Sequence, residues 1–223
     1  MRTRTIRNAD ARGRPFAWIV LAGGLLGGCG LGAGDGSAPL TQFDNFGVIE
    51  PGRAYRSAQL DATSLRLVLD HYGIRTIVNL RGAAPGALWY ENERRVAAEA
   101  GVRLVDIDMS AMRLPDRATL LEIYDTLRTA EEPLLIHCQA GADRTGAVAT
   151  LWRMIVLGQP RDTAARELTI FRGHFRTVRP EMDQLVRVFE PRREWIEHEY
   201  APPARPRRPA PVTQPTTAPS ARP

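Results

Sequence analysis

A chain of 223 residues, 43% hydrophobic and 25% charged, is long enough for one domain with a full core, and nothing in it calls for a second. The net charge of +5 and a pI of about 9.8 invite a nucleic-acid reading, but the charge sits at the ends. Residues 1–28 hold five Arg and one Asp, and residues 202–223 hold four Arg and no acid, which leaves the central portion at −3 and argues against nucleic-acid binding by the domain.

The first 28 residues combine an Arg-rich start, an apolar run from Phe16 to Leu26 and small residues before Cys29. That is the layout of a signal peptide, and the run is well short of the roughly 20 residues needed to span a bilayer. Leu26-Gly27-Gly28-Cys29 resembles a bacterial lipobox. The resemblance implies that Cys29 is acylated, that the membrane is a partner through this anchor, and that the protein resides in the cell envelope outside the cytosol. Residues 29–42 then read as a flexible Gly/Ala-rich tether, 43–200 as the folded domain and 201–223, rich in Pro and Arg without an aromatic residue, as a disordered tail. With Cys29 acylated, Cys138 has no partner for a disulfide and stays a free thiol.

Within the domain, Phe46–Ile49 and the segment from Arg53 read as two short strands around the turn Glu50-Pro51-Gly52. Asp61 or Thr63 caps a helix through Tyr72 with Leu65, Leu67, Val68 and Leu69 inward and Gly73 after its end. Ile74–Leu80 is apolar enough for a buried strand, and Arg81 at its C-terminal end stands where α/β sheets bind ligands, either lining the pocket or taking a solvent-facing or structural role. Ala87–Ala100 has helical spacing, with Leu88, Tyr90 or Trp89, Val96 and Ala97 inward, and closes at Gly101. Val102–Met109 is a strand, and Pro115-Asp116 opens a helix to about Ala130. Leu134–Ile136 is a buried strand, and Ala147–Leu157 is a buried helix. Asp162 caps a helix over Thr163–Phe171, and Pro180 opens another that Pro191 breaks before Arg192–Tyr200. This order predicts a single α/β domain with a largely parallel central sheet flanked by helices, its active-site loop lying between the last strand and a buried helix.

That loop carries the chemistry. Between Ile136 and Ala147 runs His137-Cys138-Gln139-Ala140-Gly141-Ala142-Asp143-Arg144-Thr145-Gly146. A loop wrapping into a helix N-terminus presents unpaired amides and the positive end of the helix dipole, so it binds phosphate-like dianions. Arg144 adds a planar fork of donors for two phosphate oxygens, and the same field favours the thiolate of Cys138, the nucleophilic form. The stretch matches HCxxGxxR[ST]G, and the chain resembles the cysteine-dependent protein tyrosine and dual-specificity phosphatase superfamily. Arg53–Gln59 also resembles a Y-R-S-[AG]-Q stretch found in a bacterial and fungal dual-specificity-like group; in it, Arg56 either pairs internally or touches substrate.

The resemblance implies phosphate monoester hydrolysis through a phosphocysteine on Cys138. Arg144 would clamp the phosphoryl group with the amides of Gln139, Ala140, Gly141 and Ala142, and Thr145 would stabilise the departing thiolate. It implies no cofactor and no metal, and none of the four His has metal-ligand spacing. The partner is a phosphorylated substrate: a phosphoprotein, a phospholipid or an inositol phosphate. The leaving oxygen needs a proton from a carboxylic acid. No Trp-Pro-Asp occurs, which leaves Asp143, inside the signature, and Asp108, at the end of its strand, as the two candidates. Asp106 lies deeper, and Asp116 suits a helix start. Arg172, His174, Arg176 and Arg179 form a basic cluster that either flanks the pocket or is a solvated face. A non-catalytic phosphate-binding module, and more remotely sulfur transfer or arsenate reduction, are the competing functions.

Overall fold

The computed structural model describes residues 45–202. The proposed signal segment 1–28, the tether with Cys29, and the tail from residue 203 lie outside the described residues. Five strands form one sheet in the order β1-β2-β5-β3-β4. They are β1 (Gly47–Glu50), β2 (Ala54–Ser57), β3 (Thr76–Asn79), β4 (Arg103–Asp106) and β5 (Leu134–His137). Only the β1–β2 hairpin is antiparallel; β2–β5, β5–β3 and β3–β4 run parallel. The parallel central strand β5 therefore aims its C-terminal end, and the signature loop after it, at the crevice where such sheets bind ligands.

Alternation along the strands divides the core into two layers. Ala54, Val78, Leu134 and Ile136 face one side and pack with Trp152, Leu120, Ile123 and Phe189. Tyr55, Ile77 and Leu135 face the other, against Leu65, Val68, Leu69, Val96 and Ala97. Helices α1 (Ala62–Tyr72) and α2 (Leu88–Ala100) cover this second face. On the first lie α3 (Arg117–Thr129), α4 (Asp143–Val156), α6 (Pro180–Val188) and α7 (Arg193–His198). Each fully buried Leu or Ile contributes about 1.5–3 kcal/mol, so both layers are needed for a stable sheet.

The helix punctuation follows the sequence. Asp61 caps α1 by accepting from the Thr63 and Ser64 amides, Asp116 caps α3 through the Thr119 amide, and Gly73 and Gly101 close α1 and α2 in the left-handed conformation. Each Asp cap is worth about 1 kcal/mol.

Three expectations are corrected. Leu67 and Leu88 are exposed rather than inward; in α2 it is Glu93 that occupies a buried position beside Tyr90, Val96 and Ala97. The helix expected over Thr163–Phe171 is broken into a single turn, α5 (Arg161–Ala164), and 3-10 turns at Ala165–Glu167 and Ile170–Arg172. Asp162 does not cap it; Pro160 holds that position without a side-chain bond. The break has a tertiary cause, because the Glu167 carbonyl is taken by the buried Arg56 guanidinium at 2.6 Å instead of a helical amide. Finally, α4 begins four residues earlier than expected, at Asp143, so the last residues of the signature form its first turn.

Candidate active site

Cys138 follows β5 directly and is buried, 2% exposed, as a free thiol on the floor of the loop. The loop is seated on the end of β2. Gln59 N donates to the Gln139 carbonyl at 3.2 Å, and Gly141 adopts φ +67°, where a Cβ would stand 2.6 Å from Ala58 N and 2.7 Å from the Ser57 carbonyl. Only glycine satisfies both the backbone angle and that approach. Gln139 and Ala140 are exposed at the mouth, whereas Gly141 and Ala142 are buried.

Below the loop, Arg56 is fully buried. Its Nη2 donates to the Gly141 carbonyl at 2.6 Å, and its Nη1 donates to the carbonyl and to Oε2 of Glu167 at 2.6 and 2.9 Å. Burial pushes the Arg56 guanidinium below its ordinary pKa, and the bond to Glu167 opposes this. Glu167 is held from its other oxygen by Arg153 Nε at 2.9 Å. Arg56 therefore pairs internally, and its guanidinium fixes the loop.

Arg144 and Thr145 stand in the first turn of α4. Arg144 Nη1 donates to the Leu80 carbonyl at 2.9 Å and the Met109 carbonyl at 3.1 Å, tying the helix start to the segments that follow β3 and β4. Thr145 Oγ1 is buried with no hydrogen-bond partner among the described residues, as is Ser57 Oγ. A hydroxyl so placed is available to a thiolate or an anion.

Arg81 leaves the end of β3 on the same side. Its guanidinium lies 3.3 Å from the centroid of the Trp89 ring and donates to Gln59 Oε1 at 2.9 Å. Burial, and then the positive field of Arg144, lower its pKa, while Glu93 and Cys138 act the other way. Arg81 thus shares the electrostatic environment of Arg144 and Cys138.

The four carboxylates have separate fates. Asp106 accepts from Asn79 Nδ2 at 2.7 Å and from the Tyr90 hydroxyl at 2.5 Å, so it is spent on packing. Asp116 caps α3. Asp143 Oδ1 is 2.7 Å from His174 Nδ1, and its Oδ2 is 3.9 Å from Arg179 Nε. Asp108 is exposed, one residue before the Met109 carbonyl held by Arg144, and packs against Gly82.

Three contributors to the site were not singled out as such in the sequence. Glu93, from α2, lies 3.0 Å from His137 Nε2 but out of hydrogen-bonding alignment, and accepts from Gln59 Nε2 at 2.8 Å. His174 bridges Asp143 to Asp183, 2.8 Å from its Nε2. Asn45 Nδ2 reaches both the Ala140 carbonyl at 3.1 Å and the Arg172 carbonyl at 2.8 Å. The segment around residues 172–179 thereby flanks the loop.

Residues 45–180 match the model of the family described as "DSP-PTPase phosphatase fused to NAD+ Kinase". The chain belongs to this DSP-PTPase phosphatase family. It is 31% identical over 177 residues to the dual specificity protein phosphatase TpbA of Pseudomonas aeruginosa (strain UCBPP-PA14), covering 72% of this chain and 75% of TpbA. The crystal structure of P. aeruginosa TpbA superposes with a TM-score of 0.54 at 26% identity, over 66% of this chain and 86% of that one. The core catalytic domain of the PP-IP phosphatase Siw14 from S. cerevisiae shares the fold, with a TM-score of 0.54 at 22% identity over 66% and 86% of the two chains. DSP-PTPase membership makes this chain a phosphatase of the cysteine-dependent superfamily, with the α/β architecture that its signature implied.

Proposed function

We propose that the chain hydrolyses phosphate monoesters through a phosphocysteine on Cys138, with Asp108 as the general acid. The observation that carries this reading is the folded signature itself: a buried thiol under a glycine-turned loop, with Arg144 and Thr145 in the helix turn that closes it. The Cys138 thiolate attacks phosphorus, so the S–P bond forms as the P–O bond to the leaving group breaks. The Arg144 fork and the loop amides hold the equatorial oxygens. The leaving oxygen takes the Asp108 proton. Water then attacks phosphorus, returning a proton to Asp108, and the S–P bond breaks to give phosphate and thiolate, which the Thr145 hydroxyl stabilises.

Asp108 is preferred over Asp143 because it is exposed in the segment after β4 that Arg144 holds at the Met109 carbonyl, whereas both oxygens of Asp143 face His174 and Arg179. Phosphoprotein is the substrate class favoured by the likeness to the dual specificity protein phosphatase TpbA. Arg81, which follows the Leu80 carbonyl that Arg144 holds and is itself held by Trp89 and Gln59, supports a second reading: substrates with more than one phosphate, such as inositol phosphates. The Arg-rich start, short apolar run and Leu26-Gly27-Gly28-Cys29 support an extracytoplasmic enzyme anchored through an acylated Cys29.

Aryl phosphates of graded leaving-group basicity test the acid. Asp108→Asn is expected to cost about 10²–10⁴ in kcat with the most basic leaving groups and far less with nitrophenolate. The same graded loss in Asp143→Asn, with Asp108→Asn unaffected, would assign the proton to Asp143 and overturn the choice.

A further inference from the structure

Within the ten residues Ile170–Arg179 there are three Arg, one His and no acid, together with four large apolar side chains that stand in solvent. Ile170 is 62% exposed, Phe171 97%, Phe175 51% and Val178 58%. A soluble domain rarely leaves so many large side chains uncovered in one short segment, and a contiguous patch of that kind marks a contact surface. The Arg176 side chain is 81% exposed while its Nε donates to Asp183 Oδ1 at 2.9 Å, and His174 is turned inward between Asp143 and Asp183. Exposed phenylalanines interleaved with arginines are the pattern of segments that lie in a lipid–water interface, the rings in the acyl boundary and the cations at anionic headgroups.

The position of the segment agrees with this. Where the described chain begins, Asn45 is bonded to the Arg172 carbonyl and, on its other side, to the Ala140 carbonyl of the signature loop. The fifteen residues between Cys29 and Asn45 allow a reach of at most about 55 Å. An anchor near Cys29 would keep the domain, and this segment with it, within that reach of a bilayer.

We propose that Ile170–Arg179 is a membrane-contact surface that docks the domain on an anionic bilayer and holds the Cys138 loop at the headgroup plane. Arg172, Arg176 and Arg179 outnumber Asp143 and Asp183, the two carboxylates that Arg179 and Arg176 face, so the segment keeps a cationic excess beside its exposed apolar side chains, which favours an anionic bilayer. The inference stands on the exposed segment and does not require the proposed roles of Cys138 and Asp108.

Hydrogen exchange of the full chain, with and without vesicles, reads the contact locally, so binding by the N-terminal region does not obscure it. Amides of 170–179 are expected to slow by about tenfold or more with phosphatidylglycerol-containing vesicles and to be unchanged with pure phosphatidylcholine. In Phe171→Ser/Phe175→Ser the slowing should be lost, while melting temperature and turnover of a soluble aryl phosphate stay within twofold of the parent. No slowing at 170–179, equal slowing on phosphatidylcholine, slowing that survives the double substitution, or slowing by a phosphotyrosine peptide in place of vesicles would each overturn the proposal. Loss of aryl phosphate turnover in the parent chain would instead refute the hydrolase reading and leave this contact to its own readout.

Discussion

Arg56→Met separates a loop-fixing arginine from a substrate-binding one. The guanidinium is fully buried and serves three acceptors, the Glu167 carbonyl, Glu167 Oε2 and the Gly141 carbonyl. Removing it leaves a buried carboxylate short of one cation and takes the Arg56 bond from two buried carbonyls, those of Glu167 and Gly141. Breaking a buried pair costs about 3–5 kcal/mol, and the lower end applies because Arg153 still holds Glu167. At about 2–4 °C per kcal/mol for a domain of this size, the melting temperature should fall by roughly 6–12 °C. Gly141 would also lose its tether below, and a displacement of about 1 Å at the catalytic loop costs on the order of 10² in rate. Thermal unfolding and kcat/KM on an aryl phosphate, measured on the same preparation below the lowered transition, should show both losses. Arg56→Lys should recover part of the stability and little of the rate, since a point charge cannot serve three separated acceptors. An unchanged melting temperature with lost turnover would place Arg56 on the substrate and refute the reasoning.

Gly141→Ala should lower kcat/KM by about 10²-fold or more with a smaller loss of stability. The new Cβ meets backbone at 2.6 Å, and φ +67° costs it a further 1–2 kcal/mol or so; near-parental activity would contradict the seating of the loop on β2. The bond to Asp106, and then burial, raise the Tyr90 phenol from 10.0 to about 12. A raised folded pKa means stability present below pH 10 and lost as pH climbs toward 12, so Tyr90→Phe should remove that part of the alkaline loss in a pH-resolved unfolding series. A parental pH slope in the variant would show that the phenol is not linked to folding.

Much of this was legible because its determinants are local. The signature is contiguous, Asp61 and Asp116 cap the residues that follow them, and the apolar strands β3 and β5 announce burial without any partner. The missed features depend on residues far apart in the chain. Glu93 sits among the charges of an amphipathic helix, and nothing near it reveals that Gln59 and His137 converge on it from other elements. His174 looked like part of a basic cluster, yet its ring is turned between Asp143, 31 residues away, and Asp183. The helix expected over Thr163–Phe171 has acceptable periodicity. It fails because Arg56 captures the Glu167 carbonyl and because Leu168 and Glu167 press within 2.7–3.0 Å of where a side chain on Gly146 would be. Those constraints are tertiary, and they also place the segment beside the catalytic loop.

The most direct test of the account is to trap the intermediate. Rapid acid quench of the enzyme turning over an aryl phosphate, followed by peptide mass analysis, should find one phosphoryl group on the peptide containing Cys138. The same experiment should show a burst of phenolate stoichiometric with enzyme, and Cys138→Ser should give neither while retaining its fold. Steady turnover with no phosphoryl group on Cys138, or turnover that persists in Cys138→Ser, would contradict it.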